Sequence, residues 1–413
     1  MTPPQTETPT SPTPSGDRFH RLLELAQLFS KLGIIGFGGP QAHIALINDE
    51  AVERRNWLTQ EQFTEGLAVC EMLPGPASTQ MGIYTGYVYA GQLGALVAGI
   101  AFIAPAFVIV VALSWAYFRF QQVPQVEAIF LGVSPVVVAI ILAFCWKLGK
   151  RAIKDKPSVA IALITFVITL VSPLSVLLQF IVAGLVRLWI DREPPTRSTR
   201  PTLSLWGIPW LPAIATVPAE PLAASSLWGW ERIATYGLPL GWFFLKVGSF
   251  IFGGGLVIIP LLEADVVERF GWMTQSEFLN SVAIGQISPG PVVLTAAVVG
   301  YKVAGILGAL VSSVAIFTPS FLFIMAAAPL LLRIRQNPQV KRFLKGVMPA
   351  VLGAIAAAVV PLAQSALVQE SLLLSAGTVA IAIATLVALL RFKTPTWQLI
   401  PAGAIAGFIL GSL

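Results

Sequence analysis

Residues 93–118 read LGALVAGIAFIAPAFVIVVALSWAYF, without one charged side chain. A helix needs about 20 apolar residues to cross the hydrocarbon core of a bilayer, so this run is long enough to span. LLLSAGTVAIAIATLVALL at 372–390 is a second run of the same kind. In lipid the backbone must satisfy its own hydrogen bonds. The spans are therefore helices, since a β-barrel would show short alternating strands instead. Charged residues make up 11% of the 413 positions, against about 25% in soluble domains. The expected fold class is an all-α polytopic membrane protein, multi-pass in the cell inner (plasma) membrane, with the lipid bilayer as a partner.

The net charge of +6 raises nucleic acid as a partner, but the basic residues sit in short loops between apolar runs, where they encode topology. No nucleic acid is expected. Cys70 and Cys145 fit neither a disulfide framework nor a metal-ligand spacing. There is no GxxxxGK[ST] loop, no HExxH and no nucleophile elbow. The sequence thus points to no cofactor, no metal and no enzymatic reaction. Residues 1–19 open with a Pro/Thr-rich stretch lacking a basic n-region and an apolar h-region, and read as a disordered tail rather than a signal peptide.

The chain repeats itself. VERRNWLTQEQF at 52–63 returns as VERFGWMTQSEF at 267–278, seven of twelve positions identical at an offset of 215. FGGP (37–40) faces FGGG (252–255) and PGP (74–76) faces PGP (289–291) at the same offset. At offset 214, Pro105 faces Pro319, PQV (124–126) faces PQV (338–340), and GVSP (132–135) faces GVMP (346–349). Two homologous helical repeats follow, at 20–190 and 236–413, joined by a linker at 191–235.

Loop charge suggests that the repeats have opposite orientation. Lys147, Lys150, Arg151, Lys154 and Lys156 form one cluster, and Arg333, Arg335, Lys341, Arg342 and Lys345 form another. The clusters occupy non-equivalent loops one crossing apart. If both are cytoplasmic, the repeats are inverted, an architecture of secondary transporters; the alternative is two parallel halves with one cluster on the outer side. Inversion requires a crossing within 201–235, where Pro209, Pro212, Pro218 and Pro221 disfavour a regular helix and imply a broken span or an interfacial segment.

Lys31 and Lys246 stand at equivalent positions, each six residues before FGG. A lysine at mid-membrane costs about 2.5–3.5 kcal/mol, so each needs an acid, water or an anion, or else snorkels to an interface. The turns carrying Gly38, Gly39 and Pro40, Pro74, Gly75 and Pro76, Gly253 and Gly254, and Pro289, Gly290 and Pro291 read as broken helices. Their free N–H groups and positive dipole ends suit an anion; plain helix caps are the bland reading. Ser78, Thr79, Gln80, Ser288 and Thr295 offer further donors or interhelical hydrogen bonds. Glu71, opposite Gln286 in the repeat, is a candidate for proton coupling or for a salt bridge. His43 is a candidate donor or a structural histidine. Glu53, Arg54, Glu268 and Arg269, with Trp57 and Trp272, read as scaffold.

FGGPQAHIAL (37–46), LPGPASTQ (73–80), FGGGLVIIPLL (252–262) and SPGPV (288–292), in this order within two homologous halves, resemble the chromate ion transporter family in its long two-domain form. The likeness covers 20–413 apart from the linker. It implies efflux of chromate, with sulfate as a related dianion, by oppositely oriented halves. The family's characteristic positions fall on Lys31, Gly38, Gly39, Pro40, His43, Pro74, Gly75, Pro76, Gly253, Gly254, Pro289, Gly290 and Pro291. The function expected is a secondary transporter working by alternating access; a sulfate or small organic anion transporter and an anion channel are the alternatives. Whether the chain forms a homodimer stays open.

Overall fold

The computed structural model describes residues 15–172, 174–191, 225–252, 254–327 and 338–412. Among these residues the structure is helical and contains no strand. The first series runs α1 (Ser15–Ile35), α2 (Pro40–Asn48), α3 (Gln60–Cys70), α4 (Ala77–Phe120), α5 (Pro124–Ala152), α6 (Lys156–Val171) and α7 (Val176–Ile190). The second runs α8 (Trp230–Gly248), α9 (Ile258–Glu263), α10 (Gln275–Ile287), α11 (Thr295–Ala327), α12 (Pro338–Leu367), α13 (Leu372–Val387) and α14 (Thr396–Leu410). The order of elements is the same in both. Five segments, around α4, α5, α11, α12 and α13, are long and apolar enough to cross a membrane, and α6, α7 and α14 are shorter apolar helices. This is an all-α, multi-pass membrane protein.

α1 begins at Ser15, inside the stretch expected to be a tail. α8 likewise begins at Trp230, inside the expected linker. The candidate crossing at 201–224, Arg333 and Arg335, and the site candidate Gly253 lie outside the described residues.

The duplicated phrase has a structural meaning. The helix after each FGG turn widens into one π-helical stretch, Asp49–Arg54 in the first half and Ala264–Arg269 in the second. Each then closes on a tryptophan: Trp57 N donates to Ala51 O at 2.8 Å, and Trp272 N to Val266 O at 2.9 Å. The next helix starts with a reciprocal capping box, Thr59 with Gln62 and Thr274 with Glu277. VER, W and T-x-x-[QE] therefore encode a widened turn, a plug and a helix start.

α4 is a hairpin within one element. Ala90 and Gly91 leave helical geometry, Gly91 at φ +68, and the arms on either side fold together so that Gly86 and Gly94 meet backbone to backbone. Ala304 and Gly305 make the same corner in α11, and the backbone of Ile306 and Leu307 donates to Leu227 O and Trp228 O there. The arm before each corner is short and starts at PGP. The arm after it is the full crossing.

The halves interlock. α6 and α7 pack chiefly on α12, while α13 and α14 pack on α5, so each half's last pair covers the other half's long helix. The fit is close: Gly353 abuts the backbone of Ala162, and Gly132 that of Gly403 and Gly407. Lys345, near the start of α12, pairs with Asp155, just past the end of α5, at 3.2 Å. The equivalent helices α5 and α12 thus lie antiparallel. The α4 and α11 arms also run in opposite senses, with Gly75 close to Ser320 and Ala106 close to Gly290.

At the same end of the molecule the Arg187 side chain, 2% exposed, bonds both carboxylate oxygens of Asp155 and also Asp191. The Arg187 guanidinium, with Ser158, holds the Asp155 carboxyl well below the usual carboxylate range. Its contribution is therefore full above the unfolded value of about 4 and is lost only as pH falls toward the folded value. Arg187→Ala is expected to destabilise the purified protein by about 2 kcal/mol, since it removes a buried, well-packed cation that bonds two half-buried carboxylates. The wild-type advantage over that variant in thermal unfolding should stay flat from pH 8 to pH 5 and shrink below about pH 4.

Candidate functional site

Four turns converge where the halves meet. In the first half, α1 runs inward to Gly36–Gly39, α2 turns back, α3 runs inward again, and Pro74–Pro76 start the short arm of α4. Gly38 and Gly39 have φ of +113 and +79, Gly75 and Gly254 both +134. Such values favour glycine. Gly75 N donates to Ile251 O of the other half at 2.7 Å. His43, 1% exposed, donates from Nε2 toward Gly36 O and, at 3.1 Å, Pro289 O. PGP of one half is thereby tied to the FGG turn of the other, in both directions.

These turns leave helix starts without side-chain caps. Gly39 precedes α2, with Pro40 as its first residue, and Pro76 precedes α4; neither start has a side-chain cap. Beside the α4 start a buried polar cluster has atoms with no protein partner: Ser78 Oγ, Thr79 Oγ1, Gln80 Oε1 and Ser320 Oγ. Gln80 anchors itself through Nε2 to Pro74 O at 2.7 Å. His43 Nδ1 and Gln286 Nε2 are also unpartnered. Buried polar groups normally find a partner, so this cluster is suited to a polar or charged guest.

A cavity of about 250 Å³ opens at this convergence. Pro40 and Gln41 of α2, Gly75 and Ala77 at the start of α4, and Gly254 line it, with Glu71 and Arg151 as its ionisable side chains. It gathers α2, α4 and both turn types around one space. The sequence reading assigns Arg151 to loop topology, whereas the structure places it in the last turn of α5, on the cavity wall. Pro289, Gly290 and Pro291, with Ser288 and Thr295, lie buried behind the cavity in the other half.

Neither lysine lines this cavity. Lys31 Nζ bonds Glu50 at 3.1 Å, and Lys246 Nζ approaches Asp265 at 3.6 Å. Glu50 and Asp265 are repeat equivalents in the π-helical stretches, and each is also met four residues on by an arginine, Arg54 at 3.4 Å and Arg269 at 3.5 Å. The lysines' partners thus stand two residues before the duplicated phrase in each half. Lys246, Asp265, Glu268 and Arg269 also line a separate cavity of about 320 Å³, with Thr169, Ser172 and Ser175.

A Cβ on Gly75 would stand 2.3 Å from Ser320 Oγ and 2.5 Å from Gln80 Nε2. Gly75→Ala is therefore expected to push the two halves apart at the turn and to reduce transport by at least tenfold at normal membrane expression. Gly39→Ala, whose Cβ meets nothing within 4 Å but whose φ is unfavourable, should cost about 1 kcal/mol and retain much of the activity.

Comparison with known proteins agrees with this two-part architecture. The chromate transporter family model matches residues 23–188 and again 238–408. A chromate transport protein of Cupriavidus metallidurans is 35% identical over 386 residues, 93% of this chain and 92% of its own. A probable chromate transport protein of Synechococcus elongatus is 36% identical over 351 residues, 84% of this chain and 86% of its own. An uncharacterized transporter of Bacillus subtilis, YwrA, is 35% identical over 130 residues, which is 32% of this chain but 73% of the shorter protein. No solved structure matches. With the family model matching both halves and full-length relatives above 30% identity, this multi-pass membrane protein belongs to the chromate transporter family.

Proposed function

We propose that this protein is a secondary transporter that exports chromate, with sulfate as a competing dianion, by alternating access between two inverted repeats. The relatives' names supply the substrate. The antiparallel packing of α5 on α12 supports inversion, as does the gathering of both basic clusters' described members at one end, where Lys345 meets Asp155. By the positive-inside rule that end is cytoplasmic. The reading takes the two homologous units as the stretches around 20–190 and 236–413.

One observation supports alternating access: several positions that line the cavity are more exposed than their repeat counterparts. Pro40, Leu73, Ala77 and Met348 line the cavity and are partly exposed, whereas their repeat counterparts Gly255, Ser288, Val292 and Ser134 are buried. In an inverted pair, exchange of these two arrangements turns an opening toward the basic end into one toward the opposite end. The dianion rests against the starts of α2 and α4, with Ser78, Thr79 and Gln80 behind. Glu71, on the cavity wall, is the candidate for proton coupling, because protonation would lift its repulsion of a dianion. Lys31 and Lys246 brace the hairpins through Glu50 and Asp265 and add positive potential along the path.

Outward movement of a dianion across an inside-negative membrane is favoured by about 4.6 kcal/mol per 100 mV, so export requires no nucleotide. Inverted vesicles containing the protein should take up labelled chromate saturably, in proportion to an inside-positive potential, and excess sulfate should block that uptake. Non-saturating flux would favour a channel, and no uptake in well-expressed vesicles would reject chromate as the substrate. Lys246→Met should slow transport severalfold; wild-type rates would remove the lysine from the path.

A further inference from the structure

The cavity where the turns meet has one cationic lining residue, Arg151, and one anionic one, Glu71. Both are exposed to the opening. They form no ion pair with each other, and Arg151 has no hydrogen bond or ion pair to the described residues. Two cations of the same end are engaged elsewhere: Lys345 holds Asp155 and Asp191, and Lys150 sits over the Trp146 ring. A second observation comes from the repeat. At offset 214 the counterpart of Arg151 is Ser365, and at offset 215 the counterpart of Glu71 is Gln286. Because α5 and α12 run antiparallel, Ser365 lies toward the opposite end of the molecule. The lining at this mouth carries a fixed cation, and the repeat-equivalent positions carry none.

We propose that Arg151 captures the oxyanion at the mouth of the cavity, and that the Arg151/Ser365 difference makes the two faces of the transporter kinetically unequal. A guanidinium presents planar paired donors to a tetrahedral oxyanion. Placed beside the helix starts of α2 and α4, it raises the local concentration of dianion at that face and hands it inward to uncharged donors. Glu71 opposes the capture and keeps the mouth from holding the anion too tightly, so that the anion can leave when the cavity reopens on the other side. At the opposite mouth, Ser365 and Gln286 offer hydrogen bonds without net charge, which favours release. The inference rests on the cavity being the substrate's path.

The test is the apparent KM for labelled chromate measured from each face, in inverted and right-side-out vesicles, together with equilibrium binding of chromate to purified protein. R151Q is expected to raise KM at the basic face about tenfold, the scale of one lost charge-assisted hydrogen bond at a partly exposed site, with the opposite face unchanged. E71Q should lower KM at the basic face, and S365R should lower it at the opposite face. A structural role for Arg151 would instead alter both faces alike. Unchanged KM in R151Q, or equal shifts on both faces, would overturn the inference while leaving the transport reading intact. Wild-type protein that neither bound nor moved chromate would overturn both.

Discussion

A backbone that leaves helical geometry inside a membrane must find its hydrogen-bond partners within the protein. Everything distinctive about this molecule depends on how that requirement is met. The PGP turn of the first half donates from Gly75 to Ile251 of the second, and His43 of the first reaches Pro289 of the second. Each half's broken helices are completed by the other half. The starts of α2 and α4 keep no side-chain cap, and in the proposed reading these are the donors that meet the anion.

Apart from Arg151 and Glu71 on the cavity wall, the charges nearest these turns are held in networks around the convergence. Lys31–Glu50–Arg54 and Lys246–Asp265–Arg269 repeat one triad, and in each the carboxylate comes from a π-helical stretch. A buried carboxylate such as Glu50 would be costly without a partner, and the triads meet that cost locally. Farther out, Arg187, Asp155, Asp191 and Lys345 join the ends of α5, α7 and α12. Because α6 and α7 sit on α12, this network binds the last pair of one half to the long helix of the other. A rocking motion would therefore carry elements of both repeats together.

Much of this was legible in the sequence, and the reasons are physical. Apolar runs define spans because lipid leaves the backbone no other option. Landmarks at constant offset revealed the duplication, and glycine and proline marked the turns. What the sequence hid were contacts set by packing between distant segments. The exchange of α6 and α7 for α13 and α14 leaves no periodic trace, because either pair is apolar enough to face lipid or protein. The lysines' partners stand just before the duplicated phrase, but pairing Lys31 with Glu50 requires knowing that α2 turns back alongside α1. Arg151 was indistinguishable from its basic neighbours until the curvature of the site placed it, and not them, on the cavity wall.

The central claim is that one half's turn set opens to one face of the membrane while its twin serves the other. Single cysteines at Gln41 and at Gln286, in a background with Cys70 and Cys145 replaced by serine, test it most directly through labelling with a membrane-impermeant thiol reagent applied from each side. Labelling of Gln41→Cys from the cytoplasmic side and of Gln286→Cys from the outside, with saturating chromate or sulfate changing the two in opposite directions, is the predicted result. Labelling of both from the same side would contradict inversion and with it the proposed mechanism.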